Sequence, residues 1–108
     1  MVLCVAAGRP SLQALKRAAV AQEWELTPGA TTMKEALDQL DERKPHVLIA
    51  WGAFADLVRE ARDRFPTLRI IAIGRRPLEE ADVNLPAIKG VREAILGVPP
   101  VGGPVRRK

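Results

Sequence analysis

The stretch that most constrains this chain is Pro45-His46-Val47-Leu48-Ile49-Ala50-Trp51-Gly52. From Val47 to Trp51 it shows no polar alternation, whereas a strand with one wet face would alternate. It reads as a central strand of a parallel sheet, covered on both faces. In open parallel α/β sheets the functional crevice lies beyond the carboxyl ends of the strands, where strand order reverses. Trp51 and its neighbours therefore mark the place to look for a site, and an indole is a poor catalyst.

The rest of the chain punctuates itself around that strand. Val2 to Ala7 is a second apolar run, ended by Gly8, and Arg9-Pro10-Ser11 leads into a helix with Ser11 as its expected N-cap. Trp24-Glu25-Leu26 alternates as an edge strand does, and Pro28-Gly29 is a turn. Thr32-Met33-Lys34-Glu35 has the capping-box pattern and opens a second helix with Met33, Ala36, Leu37 and Leu40 on its apolar stripe. A third helix carries Phe54, Leu57, Val58, Ala61 and Phe65 on one side, with Glu60 and Arg64 at the favourable i,i+4 spacing. Leu68 to Ile73 is rich in β-branched residues. After it only Leu78 to Ala81 is left for a fourth helix, one turn at most. Val83 to Pro86 is a short fifth strand, and Ile88 to Leu96 a last helix with Val91, Ile95 and Val98 inward.

Strands alternating with helices of this length imply right-handed crossovers and a parallel sheet. The expected fold is α/β: a three-layer, flavodoxin-like sandwich with five parallel strands in the order 2-1-3-4-5 and a shortened fourth helix. The domain spans residues 1–97. Residues 98–108 have the Pro/Gly-rich, basic composition of a tail or linker, which leads us to expect a longer parent protein.

Composition narrows the function classes. The 108 residues suit one domain with a real core. No apolar run approaches the roughly 20 residues that span a bilayer, and the start lacks the features of a signal peptide, so a cytoplasmic protein away from membranes is expected. The net charge of +4 is concentrated at Arg106, Arg107 and Lys108, which leaves the body within one charge of neutral. One cysteine excludes an internal disulfide, and one Cys with one His cannot build a zinc site. Basic patches interleaved with aromatics and helix-turn-helix patterns are both missing, so DNA binding by this domain is not expected.

Four segments together resemble the receiver domain of bacterial response regulators. They are Val-Leu-Cys-Val at 2–5, Lys-Pro-His-Val-Leu-Ile-Ala at 44–50, Phe-Pro-Thr-Leu-Arg-Ile-Ile-Ala-Ile at 65–73 and Ala-Asp-Val-Asn-Leu-Pro at 81–86. The resemblance implies an acidic pair after the first strand to hold Mg²⁺, a phosphate-accepting Asp after the third, a Ser/Thr after the fourth and a Lys after the fifth. Those places hold Ala6 and Ala7, Trp51, Gly74 and Ala87, with Lys89 two positions late. The expectation is therefore a degenerate, atypical pseudo-receiver without catalysis, cofactor or metal, like the N-terminal parts of some atypical regulators and of pilus-assembly localisation ATPases. It would act in signal transduction as a protein-interaction module, forming a homodimer through Leu78, Val83, Leu85, Val91 and Ile95. Trp51 is expected to fill the crevice.

Four further features of the chain bear on function. Arg9, Arg75 and Arg76 follow strand ends and would serve a small-ligand, nucleotide or anion sensor, although no phosphate-binding glycine motif accompanies them. Cys-Val-Ala-Ala-Gly at 4–8 resembles the phosphocysteine loop of sugar-phosphotransferase IIB domains. Cys4, however, stands one residue early, and a one-residue shift along a strand turns a side chain to the other face, so a buried hydrophobe is expected. His46 is expected half-buried or capping, and Trp24 packed on a neighbouring helix.

Overall fold

The computed structural model describes residues 1–97; the expected linker at 98–108 lies outside the described residues. Four strands, β1 (Val2–Ala6), β2 (Val47–Trp51), β3 (Arg69–Ile73) and β4 (Val83–Leu85), form one parallel sheet in the order β1-β2-β3-β4. Four helices accompany them: α1 (Arg9–Ala19), α2 (Met33–Arg43), α3 (Ala55–Arg64) and α4 (Val91–Leu96).

The central strand is covered on both faces, as its unbroken apolar run predicts. Val2, Cys4, Val47, Ile49, Ile71 and Ile73 point to one side, into a core shared with Leu12, Leu15 and Ala19 of α1 and Val91 and Ala94 of α4. Leu3, Val5, Leu48 and Ile70 point to the other, against Ala36 and Leu40 of α2 and Leu57, Val58 and Ala61 of α3. The period-2 alternation of strand side chains sorts neighbouring residues into two cores and makes three layers.

The expected fifth strand of the sheet, the second in chain order, is not formed as a strand. The segment 25–30 does lie beside β1, but only as isolated bridges at Val2–Leu26 and Val5–Ala30. Its hydrogen bonds come in two pairs. Val2 N donates to Glu25 O (2.8 Å) and Thr27 N to Val2 O (2.9 Å), then Ala30 N to Cys4 O (3.0 Å) and Ala6 N to Ala30 O (3.2 Å). Between the pairs, Pro28 has no N–H to donate and Gly29 has φ +92°. A side chain at Gly29 would sit 3.0 Å from Leu12 Cδ1 and 3.3 Å from the Cys4 carbonyl. Gln39 replaces the missing ladder by gripping the Gly29 backbone twice, Nε2 donating to its O (2.7 Å) and Oε1 accepting from its N (3.2 Å).

The helix ends depart from expectation in instructive ways. α1 starts earlier than a Ser11 cap would allow: Gly8 is its N-cap and Pro10 falls in the first turn, where the fixed φ of proline favours helix. α2 starts as expected at Thr32, whose hydroxyl accepts from Glu35 N (3.2 Å). The reciprocal half of the capping box lands one residue earlier, because Glu35 Oε1 accepts from Thr31 N (3.0 Å). α4 begins at Val91 rather than Ile88, behind Gly90 at φ +89°. Leu78–Ala81 makes a turn and no helix. There Asn84 stands in for a helix by pinning Leu78, accepting from its N (2.8 Å) and donating to its O (3.1 Å).

Candidate functional site at the carboxyl ends of the strands

Parallel register brings the sequence-selected positions together. Ala6 lies opposite Trp51, Trp51 opposite Ile73, and Ile73 opposite Leu85. Gly52 N donates to Ile73 O and Gly74 N to Leu85 O, both at 3.0 Å, which fixes how the chain leaves β2 and β3. Ala7 follows Ala6 and is exposed, and Ala87 is exposed just past β4. All five positions therefore sit at one edge of the sheet.

Following the alternation of Val47 and Ile49, the half-buried indole of Trp51 packs into the core shared with α1 and α4. A cleft of about 350 Å³ remains open beside it, lined by Gly52, Ala53, Ala72, Gly74 and Leu78, with Arg75 and Arg76 on its lip. α3 starts at this cleft with Ala55, and its N-cap Phe54 offers no side-chain acceptor.

Of the three candidate arginines, the structure brings two together at the cleft. Arg9 is elsewhere, at the start of α1, where its charge helps hold the Glu35 carboxyl below its usual range, behind the larger effect of the Thr31 hydrogen bonds. The five-residue dimer surface is divided. Val91 is 1% exposed and belongs to the core. Leu78 packs on the α2/α3 side, while Val83, Leu85 and Ile95 lie half-buried on the α1/α4 side. Their parity in β4 and the turn at Leu78 produce that division.

The remaining candidates are accounted for by packing. Cys4 is 1% exposed, and burial pushes its thiol up to about 12, opposed by the Lys16 charge. Trp24 packs against the α1/α4 core and donates from Nε1 to Ala19 O (2.8 Å), capping the end of α1. His46 is exposed, against expectation, because it lies at the amino ends of the strands, where its backbone bonds both neighbours: its N to Met1 O and its O from Arg69 N.

One charged cluster was not visible in the sequence. Arg62, on α3, donates to the carbonyls of Glu80 (3.1 Å), Pro66 (2.9 Å) and Leu68 (3.0 Å) and to Asp82 Oδ2 (2.7 Å). Asp82 also accepts from Ile70 N (2.8 Å). Burial works to raise the Asp82 pKa, but the Ile70 amide and the Arg62 and Arg69 charges outweigh it and hold the carboxyl below its usual range. These partners are up to 20 residues apart, so no local pattern could have announced them.

No protein-family model and no curated protein matches the chain. Solved structures do. A CheY-like response regulator receiver domain from Methanospirillum hungatei aligns with TM-score 0.75 at 18% identity, covering 89% of this chain and 90% of that one. The RcsB response regulator of Salmonella typhimurium aligns with TM-score 0.73 at 17% identity, covering 88% of this chain and 59% of that one. The magnesium ion that the receiver pattern implies requires oxygen ligands. Ala6, Ala7 and Trp51 carry no side-chain oxygen, so these residues do not fit it. Among the described residues no group of three His, Cys, Asp or Glu side chains is placed to hold a metal, and no helix is long and apolar enough to cross a membrane. The strand order, the two-sided helix cover and these alignments agree that the chain has the fold of a CheY-like response regulator receiver domain.

Proposed function

We propose that this chain is a non-phosphorylatable receiver-like regulatory module that works through protein–protein contact, as a cytoplasmic homodimer, and is not an enzyme. The observation that carries the reading is the convergence of Ala6, Ala7, Trp51, Gly74 and Ala87 at the carboxyl edge of the sheet. None of the five has a side chain that can hold a metal ion or accept a phosphoryl group. Incubation with acetyl phosphate and Mg²⁺ followed by intact-mass measurement is expected to show no added phosphoryl group. An acid-labile phosphoryl adduct would refute the reading.

The association surface we assign is narrower than the sequence implied. Val83, Leu85 and Ile95 pack half-buried on the α1/α4 core, and Ile95 is followed in α4 by Leu96, whose exposure of 55% is the largest of any large hydrophobic residue among those described. A self-complementary contact about a two-fold axis would cover this apolar strip. Sedimentation velocity on the full chain is expected to show a concentration-dependent dimer that Leu96→Asp abolishes; a monomer at high concentration would remove the assignment.

A further inference from the structure

The cleft beside Trp51 is the feature that a pure interaction module does not use. Its volume of about 350 Å³ lies at the lower end of the range for small-molecule pockets. Its walls are Ala53, Ala55, Ala72, Ile73 and Leu78, and its backbone is bare at Gly52 and Gly74, where an added Cβ would meet nothing within 4 Å. Among its lining residues the charged ones are Arg75 and Arg76, both exposed; no acidic side chain lines it. Neither arginine takes part in an ion pair among the described residues. We propose that this cleft binds a small phosphate monoester with an apolar organic part, the two arginines taking the phosphate and the alanine-lined wall the rest.

The charge pattern selects this ligand class. Two adjacent guanidinium groups with no carboxylate between them match a dianion, and a guanidinium can engage phosphate oxygens with two parallel hydrogen bonds. α3 begins at the same cleft with Ala55, and its N-cap Phe54 gives no side-chain acceptor, although Asp56 in the first turn already meets part of the helix's positive end, so the arginines carry the preference for negative charge. The apolar walls argue against inorganic phosphate alone, because burying them rewards an organic part. The ligand is held without metal and without covalent bonding, unlike a phosphoryl group on a receiver aspartate. The proposal goes beyond the association reading, and the two fail separately: amide shifts read one and sedimentation the other.

The test uses the full chain, ¹⁵N-labelled, titrated with phenyl phosphate, inorganic phosphate and benzyl alcohol. Phenyl phosphate is expected to shift the amides of Gly52, Ala53 and Gly74 saturably, with a Kd of about 1 mM or tighter. Inorganic phosphate and benzyl alcohol are each expected to bind about 10-fold more weakly, and the double variant Arg75→Ala/Arg76→Ala to lose about 10-fold for phenyl phosphate. Absence of saturable shifts at these amides would overturn the proposal, as would unchanged affinity in the double variant. Equal binding of inorganic phosphate would overturn the apolar half of the site, and equal binding of benzyl alcohol the ionic half.

Discussion

Two hollows border α3 and the connection between β3 and β4, and they treat charge in opposite ways. The larger, about 730 Å³, is rich in ionic groups: Asp56, Glu60, Asp63 and Glu80 with Arg59 and Arg62. Its arginines are already engaged. Arg59 Nη1 meets Asp56 at 3.3 Å and its Nε meets Glu80 at 3.8 Å, while Arg62 holds Asp82 and three carbonyls. The smaller cleft has two arginines, apolar walls and no acidic partner. Size and charge count would favour the first as a binding site; availability of charge favours the second. Arg62 serves the fold, whereas Arg75 and Arg76 enter no ion pair among the described residues.

The largest effect expected from disturbing this contrast comes from Trp51→Asp, which would put a carboxylate at the apolar carboxyl edge. Loss of a half-buried indole and burial of an unpaired charge against the α1/α4 core should cost about 3 kcal/mol, read as a lower denaturation midpoint. A stability unchanged by the substitution would show that Trp51 is not part of the core. Next in size is the network of the larger hollow. Arg62→Ala removes the guanidinium donor from three carbonyls and leaves Asp82 with the Ile70 amide alone, for about 2 kcal/mol, even though its ion pair alone, partly exposed, would contribute little.

The pH response sharpens the same point. Because the folded Asp82 pKa is lowered, the unfolded state binds more protons as pH falls, so this contribution is present above about pH 3.9 and is lost as pH falls through the lower folded value. Asp82→Asn should flatten the acid limb of the stability curve below about pH 4; an unaltered limb would mean that Asp82 is not held by the Ile70 amide and Arg62. The smallest effect belongs to the other hollow. Arg75→Ala/Arg76→Ala should shift stability by no more than about 0.5 kcal/mol, since both side chains are exposed and free of ion pairs among the described residues. A larger loss would give these arginines a structural role after all.

Much of the fold was legible in local pattern. The unbroken run at Val47–Trp51, the stripe on α2 and the Thr32 cap depend on neighbours within a few residues, and all three appear where periodicity places them. Element ends were less legible. Arg9-Pro10-Ser11 fits a turn before a Ser11 cap, yet proline suits a first helical turn equally well. The site was legible in outline only: register delivers Ala6, Trp51 and Gly74 to one edge, but the face to which Trp51 turns, and the cleft left open beside it, depend on which helices cover that face.

The amino-acid sequence by itself therefore determined an alternating α/β chain with a buried parallel centre and a carboxyl edge without oxygen ligands, because hydrophobic period and residue identity are local quantities. Tertiary structure alone decided that Val91 and Leu78 fall in different cores, that Arg62 unites segments up to 20 residues apart, and that Arg75 and Arg76 line a cleft from which Arg9 is absent. Those outcomes depend on which backbone groups and charges meet across the sheet, and no window of sequence contains both partners.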